Sequence, residues 1–262
     1  MIRALKSWKV YLQPLVVCVY FTIYMLVLDG DRDLLALGPV VLFALILDAL
    51  VKRLIRGRWE FPLPGITTGV AAALILRSIY DVWPYYFAVA VGILSKPLLR
   101  DSRGCHIFNP AALGIFAAVA FFPSVVNIHL RQWPIPSEYY LFMLCLAICV
   151  TIVNDKWRLT LSYLGVVIVL RALWSYFTNH SYAYGLGVIL GQTTLIFAFH
   201  MITDPRTSPR CGRGQLLFGT LIGVVDFCIR WAELPFSAII ALCLVTAAIN
   251  PWRDRWAIMR GA

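Results

Sequence analysis

Two stretches of the chain hold most of the residues able to do chemistry. The first runs from Ser95-Lys96-Pro97 through Gly104-Cys105-His106-Ile107-Phe108-Asn109-Pro110 to Gly114. Asn109 directly before Pro110 has the form of a helix N-cap followed by proline at the first helical position. A helix starting there offers unpaired amide N–H groups, which suit an anionic or hydrogen-bond-accepting part of a ligand. The second stretch is His200-Met201-Ile202-Thr203-Asp204-Pro205-Arg206-Thr207-Ser208-Pro209, continuing to Gly214. An apolar run breaks there at Thr-Asp-Pro, and two prolines with two glycines predict a rigid, non-helical turn. A third segment, Pro62-Leu63-Pro64-Gly65-Ile66-Thr67-Thr68-Gly69, brings hydroxyls and small residues to the head of another apolar run. Taken singly, each also has the form of a well-built loop or of close helix–helix packing. No Ser-His-Asp arrangement, phosphate-binding glycine loop or metal-spaced His/Cys cluster accompanies them, so soluble-type hydrolysis is not expected. Cys105, His106 and Cys211 share no short spacing and are expected to bind no metal.

The elements that position these segments follow from hydropathy. Hydrophobic residues make up 61% of the chain and charged residues 14%, too little polar surface for a soluble domain of this size. Apolar runs recur from end to end, and backbone buried in lipid must pair its polar groups within the run. The reading is all-α: a polytopic membrane protein of about ten transmembrane helices, a single integral membrane domain over 1–262. The spans fall near 10–28, 34–51, 63–80, 82–98, 108–123, 139–154, 159–177, 183–202, 215–231 and 235–250. The first run is too long, and lacks the cleavage pattern, for a removable signal peptide.

Charge orients the spans. With the N-terminus inside, 18 of the 23 Lys and Arg residues fall on the cytoplasmic side and 5 on or near the outside, as the positive-inside rule requires. The expectation is a multi-pass protein of the cytoplasmic membrane with both termini cytoplasmic. Its net charge of +10 is then topological, lipid is the surrounding partner, and no nucleic-acid partner is expected. All nine Trp residues lie at or near span ends, where indoles anchor to the interface. Within the spans, Asp226 stands four residues before Arg230: either a functional carboxylate or a helix-face ion pair.

Taken together the segments resemble the NqrB/RnfD family, the membrane flavoprotein subunits of sodium-pumping NADH:quinone reductase and of the Rnf electron-transport complex. The family's first loop runs roughly Gly-Lys, then Gly-Gln-Asn-Pro-Phe-Asn-Pro-Ala, then Gly. Lys96, Gly104, Phe108, Asn109, Pro110, Ala111 and Gly114 match it. Its second loop, Met-Ala-Thr-Asp-Pro-Val-Thr-Ser-Pro, is matched by Met201, Thr203, Asp204, Pro205, Thr207, Ser208 and Pro209. Gly219, Gly223, Arg230 and Trp157-Arg158 also fit. Three departures shape what the likeness implies. The loop Pro123 to Glu138 contains no Thr, the residue on which the family holds FMN covalently, so no covalent FMN is expected between spans five and six. Cys105-His106-Ile107 replaces the family's Gln-Asn-Pro, and the chain is shorter than typical members, like the reduced UnbU-like relatives.

The resemblance therefore implies a membrane electron-transfer subunit, with redox partner subunits, holding one non-covalent flavin (riboflavin or FMN) near the cytoplasmic side. The residues expected to bind it are Thr67, Thr68, Lys96, His106, Phe108, Asn109, Pro110, Thr203, Asp204, Pro205, Thr207 and Ser208. No catalytic acid or base is expected, because the flavin would carry the chemistry. The alternatives are a small-solute transporter or channel, whose Gly-Thr linings would look similar, and a cofactor-free structural subunit of a membrane complex.

Overall fold

Apolar runs closed by charge, Gly or Pro become helices close to where hydropathy puts them. The structure is a computed structural model, and it describes residues 9–27, 31–78, 81–101, 104–128, 137–187, 189, 191–234 and 236–252. Gly30, the N-terminal basic residues Arg3 and Lys6, and the stretch 129–136 lie outside the described residues, as do Arg253, Arg255 and Arg260. The chain divides into two compact units. One comprises Met1–Leu98 with Pro110–Val150, the other Leu99–Asn109 with Thr151–Ala262.

In the first unit, α1 (Lys9–Val27), α2 (Asp31–Arg56), α3 (Leu63–Ile75), α4 (Trp83–Leu98), α5 (Pro110–Phe121) and α6 (Ser137–Val153) follow in order. One apolar cluster joins Val40 and Ala44 of α2, Ala72 of α3, and Val89 and Ile93 of α4. Small side chains let the helices approach closely. A Cβ on Gly114 of α5 would strike the Ala88 carbonyl of α4, so only glycine fits there. The Tyr20 hydroxyl of α1 donates to the Met143 carbonyl of α6 at 2.6 Å.

The third span departs from the expected helix over 63–80. Helix α3 stops at Ile75 and the chain continues extended as β1 (Leu76–Ser78). It pairs antiparallel with β2 (Val126–Ile128), which follows α5; Leu76 faces Ile128 and Ser78 faces Val126. The all-α expectation is corrected by this one two-stranded pairing among the described residues. The physical reason is the shortness of α3 and α5. Thirteen helical residues reach only about 20 Å, and three extended ones add about 10 Å. Mutual pairing satisfies the backbone groups that each helix end leaves open.

The second unit holds α7 (Trp157–Thr178), α8 (Tyr182–Gly187), α9 (Gln192–Ile196), a π-helical turn (Phe197–Met201), α10 (Gly212–Trp231) and α11 (Ser237–Ile249), followed by a 3-10 turn (Asn250–Trp252). Helices α7 and α10 lie side by side because Gly219 brings α10 against the Leu159 carbonyl, where a Cβ would sit only 2.5 Å away. Among the described residues, these two helices are the ones long and apolar enough to cross a membrane by length and composition. Five further apolar helices are shorter. The expected continuous span 183–202 is instead broken. α8 ends at Gly187, Gly191 is extended, and the chain resumes as α9 before widening into the π turn.

Candidate functional site

The π turn is where the site begins. A π-helix loosens the regular ladder, so its carbonyls are open to donors from the side. The Ala198 carbonyl accepts from the Thr160 hydroxyl of α7 at 2.8 Å, and the Met201 carbonyl accepts from Asn109 Nδ2 at 3.0 Å. The next four residues form a turn organised by Asp204. Its main-chain oxygen accepts from the Ser208 N–H (2.9 Å) and hydroxyl (2.7 Å), and its carboxylate accepts from the Arg206 N–H and the Thr207 hydroxyl, both at 3.2 Å. The Thr203 hydroxyl is turned back on the Phe199 carbonyl at 2.6 Å.

The other loop is a tight hairpin. Arg100 bridges antiparallel to His106, the Ile107 N–H donates to the Leu99 carbonyl at 3.0 Å, and the Asp101 carboxylate accepts from the Cys105 N–H at 2.8 Å. Gly104 takes a left-handed conformation, φ +75°, that closes the turn. The two loops meet through side chains: His106 Nε2 lies 3.2 Å from Asp204 Oδ2. Burial by itself would raise the Asp204 carboxyl. The hydrogen bond and charge of His106, then the Arg206 N–H and the Thr207 hydroxyl, outweigh it and hold the group below the ordinary carboxylate value.

Three buried side chains that the sequence reading did not single out hold this pair of loops from behind. Asn250 Nδ2 donates to the Ile107 carbonyl at 2.6 Å. Lys156 Nζ donates to the Pro209 carbonyl at 2.6 Å. Gln215 Nε2 donates to the Asp155 carbonyl at 2.7 Å and the Arg210 carbonyl at 3.3 Å. Asn250-Pro251 repeats the Asn109-Pro110 pair, and that echo was the one signal that could have pointed to Asn250. Nothing local marks Lys156 or Gln215, whose shortest bonds go to the Pro209 and Asp155 carbonyls, 53 and 60 residues away.

Comparison with known proteins bears on the same region. Residues 137–260 match the model of the NQR2, RnfD, RnfE family. That stretch carries α6 to α11 and the second loop. Relatives of RnfD type agree. The chain is 30% identical over 95 residues to the RnfD-type component of an ion-translocating oxidoreductase complex from Vibrio vulnificus (strain YJ016), covering 36% of this chain and 27% of that one. The corresponding protein of Tolumonas auensis is 36% identical over 74 residues, 28% of this chain and 21% of that one. These two local matches thus span about a quarter of the relatives' length. The corresponding protein of Ectopseudomonas mendocina (strain ymp) aligns nearly throughout, 23% identical over 306 positions, 93% of this chain and 88% of that one. The family resemblance read from the two loops is met by these matches, although the first loop lies ahead of the stretch that the family model covers.

Not all residues expected at an RnfD-like flavin site fall in one unit. His106, Phe108, Asn109, Thr203, Asp204, Pro205, Thr207 and Ser208 belong to the second. Thr67, Thr68, Lys96 and Pro110 belong to the first. There both threonine hydroxyls are spent on the Pro64 carbonyl of their own helix, at 3.0 and 2.9 Å, and Gly65 and Gly69 bring α3 against Ala44 of α2. For that segment close helix packing is the arrangement present. Lys96 binds Asp48 at 2.8 Å, a partner the sequence did not suggest. Pro110 opens α5 directly after Asn109, as expected. Asp226 is the helix-face pair, 3.4 Å from Arg230, and it also accepts from the Tyr163 hydroxyl of α7 at 3.0 Å.

Proposed function

We propose that the chain is a membrane electron-transfer subunit of an RnfD-like complex, holding one riboflavin or FMN non-covalently at the paired loops. The observation that carries this reading is the junction of the two loops by His106–Asp204 and Asn109–Met201. Segments about 95 residues apart in sequence are joined by these two side-chain hydrogen bonds. Such rigidity at a polar loop is what a pre-organised cofactor site requires. The donor set suits an isoalloxazine ring, which needs an apolar face and a few directed hydrogen bonds. Phe108, anchored through both neighbours, supplies the first. Hydroxyls of Thr207 and Ser208 and the buried Asn250 carboxamide supply candidates for the others. When bound, the flavin would supply one- or two-electron transfer. The protein's own residues would orient the ring and hold water away from it. Asp204 serves this site indirectly, by fixing the turn.

In this reading the protein is one integral membrane domain of ten spans with both ends on the cytoplasmic side. The 18-to-5 charge bias and the helix sequence support that topology. The names of the relatives support an assembly with other subunits that donate and accept electrons. The broken eighth span is the observation that favours the second reading, a solute transporter, because discontinuous helices line substrate sites in such proteins.

One preparation separates the two. Purified protein should be yellow, with flavin absorbance that acid releases completely into the supernatant. Flavin left on the denatured chain would overturn the non-covalent attachment. A colourless, folded protein that binds no added flavin but moves solute in liposomes would overturn electron transfer altogether. Topology is tested separately: a cysteine introduced at Gly30 should react with an impermeant label only from outside.

A further inference from the structure

Asn250 sits at the start of the 3-10 turn after α11, 3% exposed, with Nδ2 on the Ile107 carbonyl at 2.6 Å. Its Oδ1 is buried and has no hydrogen-bond partner among the described protein groups. The orientation of the carboxamide is not interchangeable. Rotating it by half a turn would set its oxygen against the Ile107 carbonyl, two acceptors at hydrogen-bond distance, so the oxygen must face the other way. A buried acceptor in that position calls for a donor from outside the chain. The loop it clasps is the one that presents Phe108. Ile107 is held by Asn250 and by its N–H to Leu99, and Asn109 is held by the Met201 carbonyl. Gln215 has a similar unpartnered buried oxygen, but its donors hold Asp155 and Arg210, not the loop that presents Phe108.

We infer that Asn250 is a binding residue of the site and that its Oδ1 accepts a hydrogen bond from the N3–H of the flavin ring. This rests on the flavin reading above. The oxidised isoalloxazine has a single ring N–H donor, at N3, on the edge where its two carbonyls also lie. A carboxamide acceptor is the complement of that edge. It selects a cyclic imide over ring systems that lack one. The structural alternative is an ordered water serving the same oxygen.

The test compares riboflavin with 3-methylriboflavin, which carries a methyl in place of the N3 hydrogen, by quenching of flavin fluorescence on the full chain in detergent. The wild-type protein should bind the methylated ring at least about tenfold more weakly. In Asn250→Ala, or Asn250→Ser if the first variant does not fold, riboflavin should weaken to a similar degree and the methyl penalty should vanish. Equal binding of the two flavins by the wild-type protein would overturn the inference, leave the flavin reading standing and assign the oxygen to water. A methyl penalty that persists undiminished in the variant would overturn it too, by placing the N3–H on another group. Binding of neither flavin would overturn both readings.

Discussion

Two carboxylates, one in each compact unit, are both largely buried and do opposite kinds of work. Asp48, on α2, stands between two lysines. Lys96 Nζ reaches it from α4 at 2.8 Å, and Lys52 Nζ, one turn along α2, lies 2.9 Å away as an ion pair off the line of a hydrogen bond. Its side chain is 3% exposed, against 16% and 14% for the lysines. Among the described residues, Asp204 has no Lys or Arg side chain among its hydrogen bonds; it collects N–H and O–H groups from its own turn, plus His106. The first arrangement fastens helix to helix. The second shapes a loop and joins it to another. Cations at fixed points on helices make a brace, whereas short-range donors from consecutive residues make a turn.

The comparison breaks most visibly at Asp48. Asp48→Ala leaves two half-buried ammonium groups without their counter-charge and should cost about 3–5 kcal/mol of stability, read by thermal or denaturant unfolding in detergent. A loss below about 1 kcal/mol would mean that both lysines escape to water and that the brace behaves as a surface pair. Asp204→Ala should cost less, about 1–3 kcal/mol, because each hydrogen bond it removes is local and the turn can rehydrate in part. Its stronger readout is functional. Flavin retention should fall roughly five- to a hundredfold, while Asp48→Ala that still folds should leave retention much less affected.

Asp226 sharpens the contrast, since it combines a cation, Arg230, with a hydroxyl, Tyr163. Tyr163→Phe removes only the hydroxyl and should cost about 1 kcal/mol, the scale of a hydrogen bond between membrane helices. A loss several times larger would show that Tyr163, and not Arg230, is the main partner of the carboxylate. The smallest expected effect is that of pH. The Asp204 carboxyl lies below its ordinary value of 3.8, so its contribution is complete above about pH 5. It disappears only as acid carries the pH down through the lowered value of the folded state. After correction for intrinsic rates, hydrogen exchange in 201–209 attributable to Asp204 should therefore rise only once the pH falls below 3.8. A rise already at about pH 6 would point to a group other than Asp204.

Much of the architecture was legible because lipid-compatible helices announce themselves. Apolar runs of helical length, closed by Pro, Gly or charge, led to helix limits within a few residues for α1, α4, α6, α7, α10 and α11. The third and eighth spans were not legible in the same way. Nothing in Leu76-Arg77-Ser78 says that Val126-Asn127-Ile128 will offer it a strand partner, and hydropathy alone does not distinguish the broken stretch 182–201 from one helix. Loop positions were legible from Asn109-Pro110 and Thr203-Asp204-Pro205, whose side chains act on their immediate neighbours. That Asp204 spends its carboxylate on its own turn is a local preference of Asp before Pro, and could be read as such.

By itself, then, the sequence determined most of the helical segments, where two polar loops interrupt them, and that the second loop turns at Asp204. These depend on residues within a turn or two of one another, where side-chain type and spacing fix the outcome. Only the tertiary structure decided that His106 meets Asp204, that Asn109 and Asn250 pin the loop around Phe108, and that Lys96 serves Asp48 in the first unit. Those contacts join residues 92 to 143 positions apart in the second unit and 48 apart in the first. At such separations the partner of a polar group is chosen by helix packing, by where glycines such as Gly114 and Gly219 let backbones touch, and not by any pattern near the group itself.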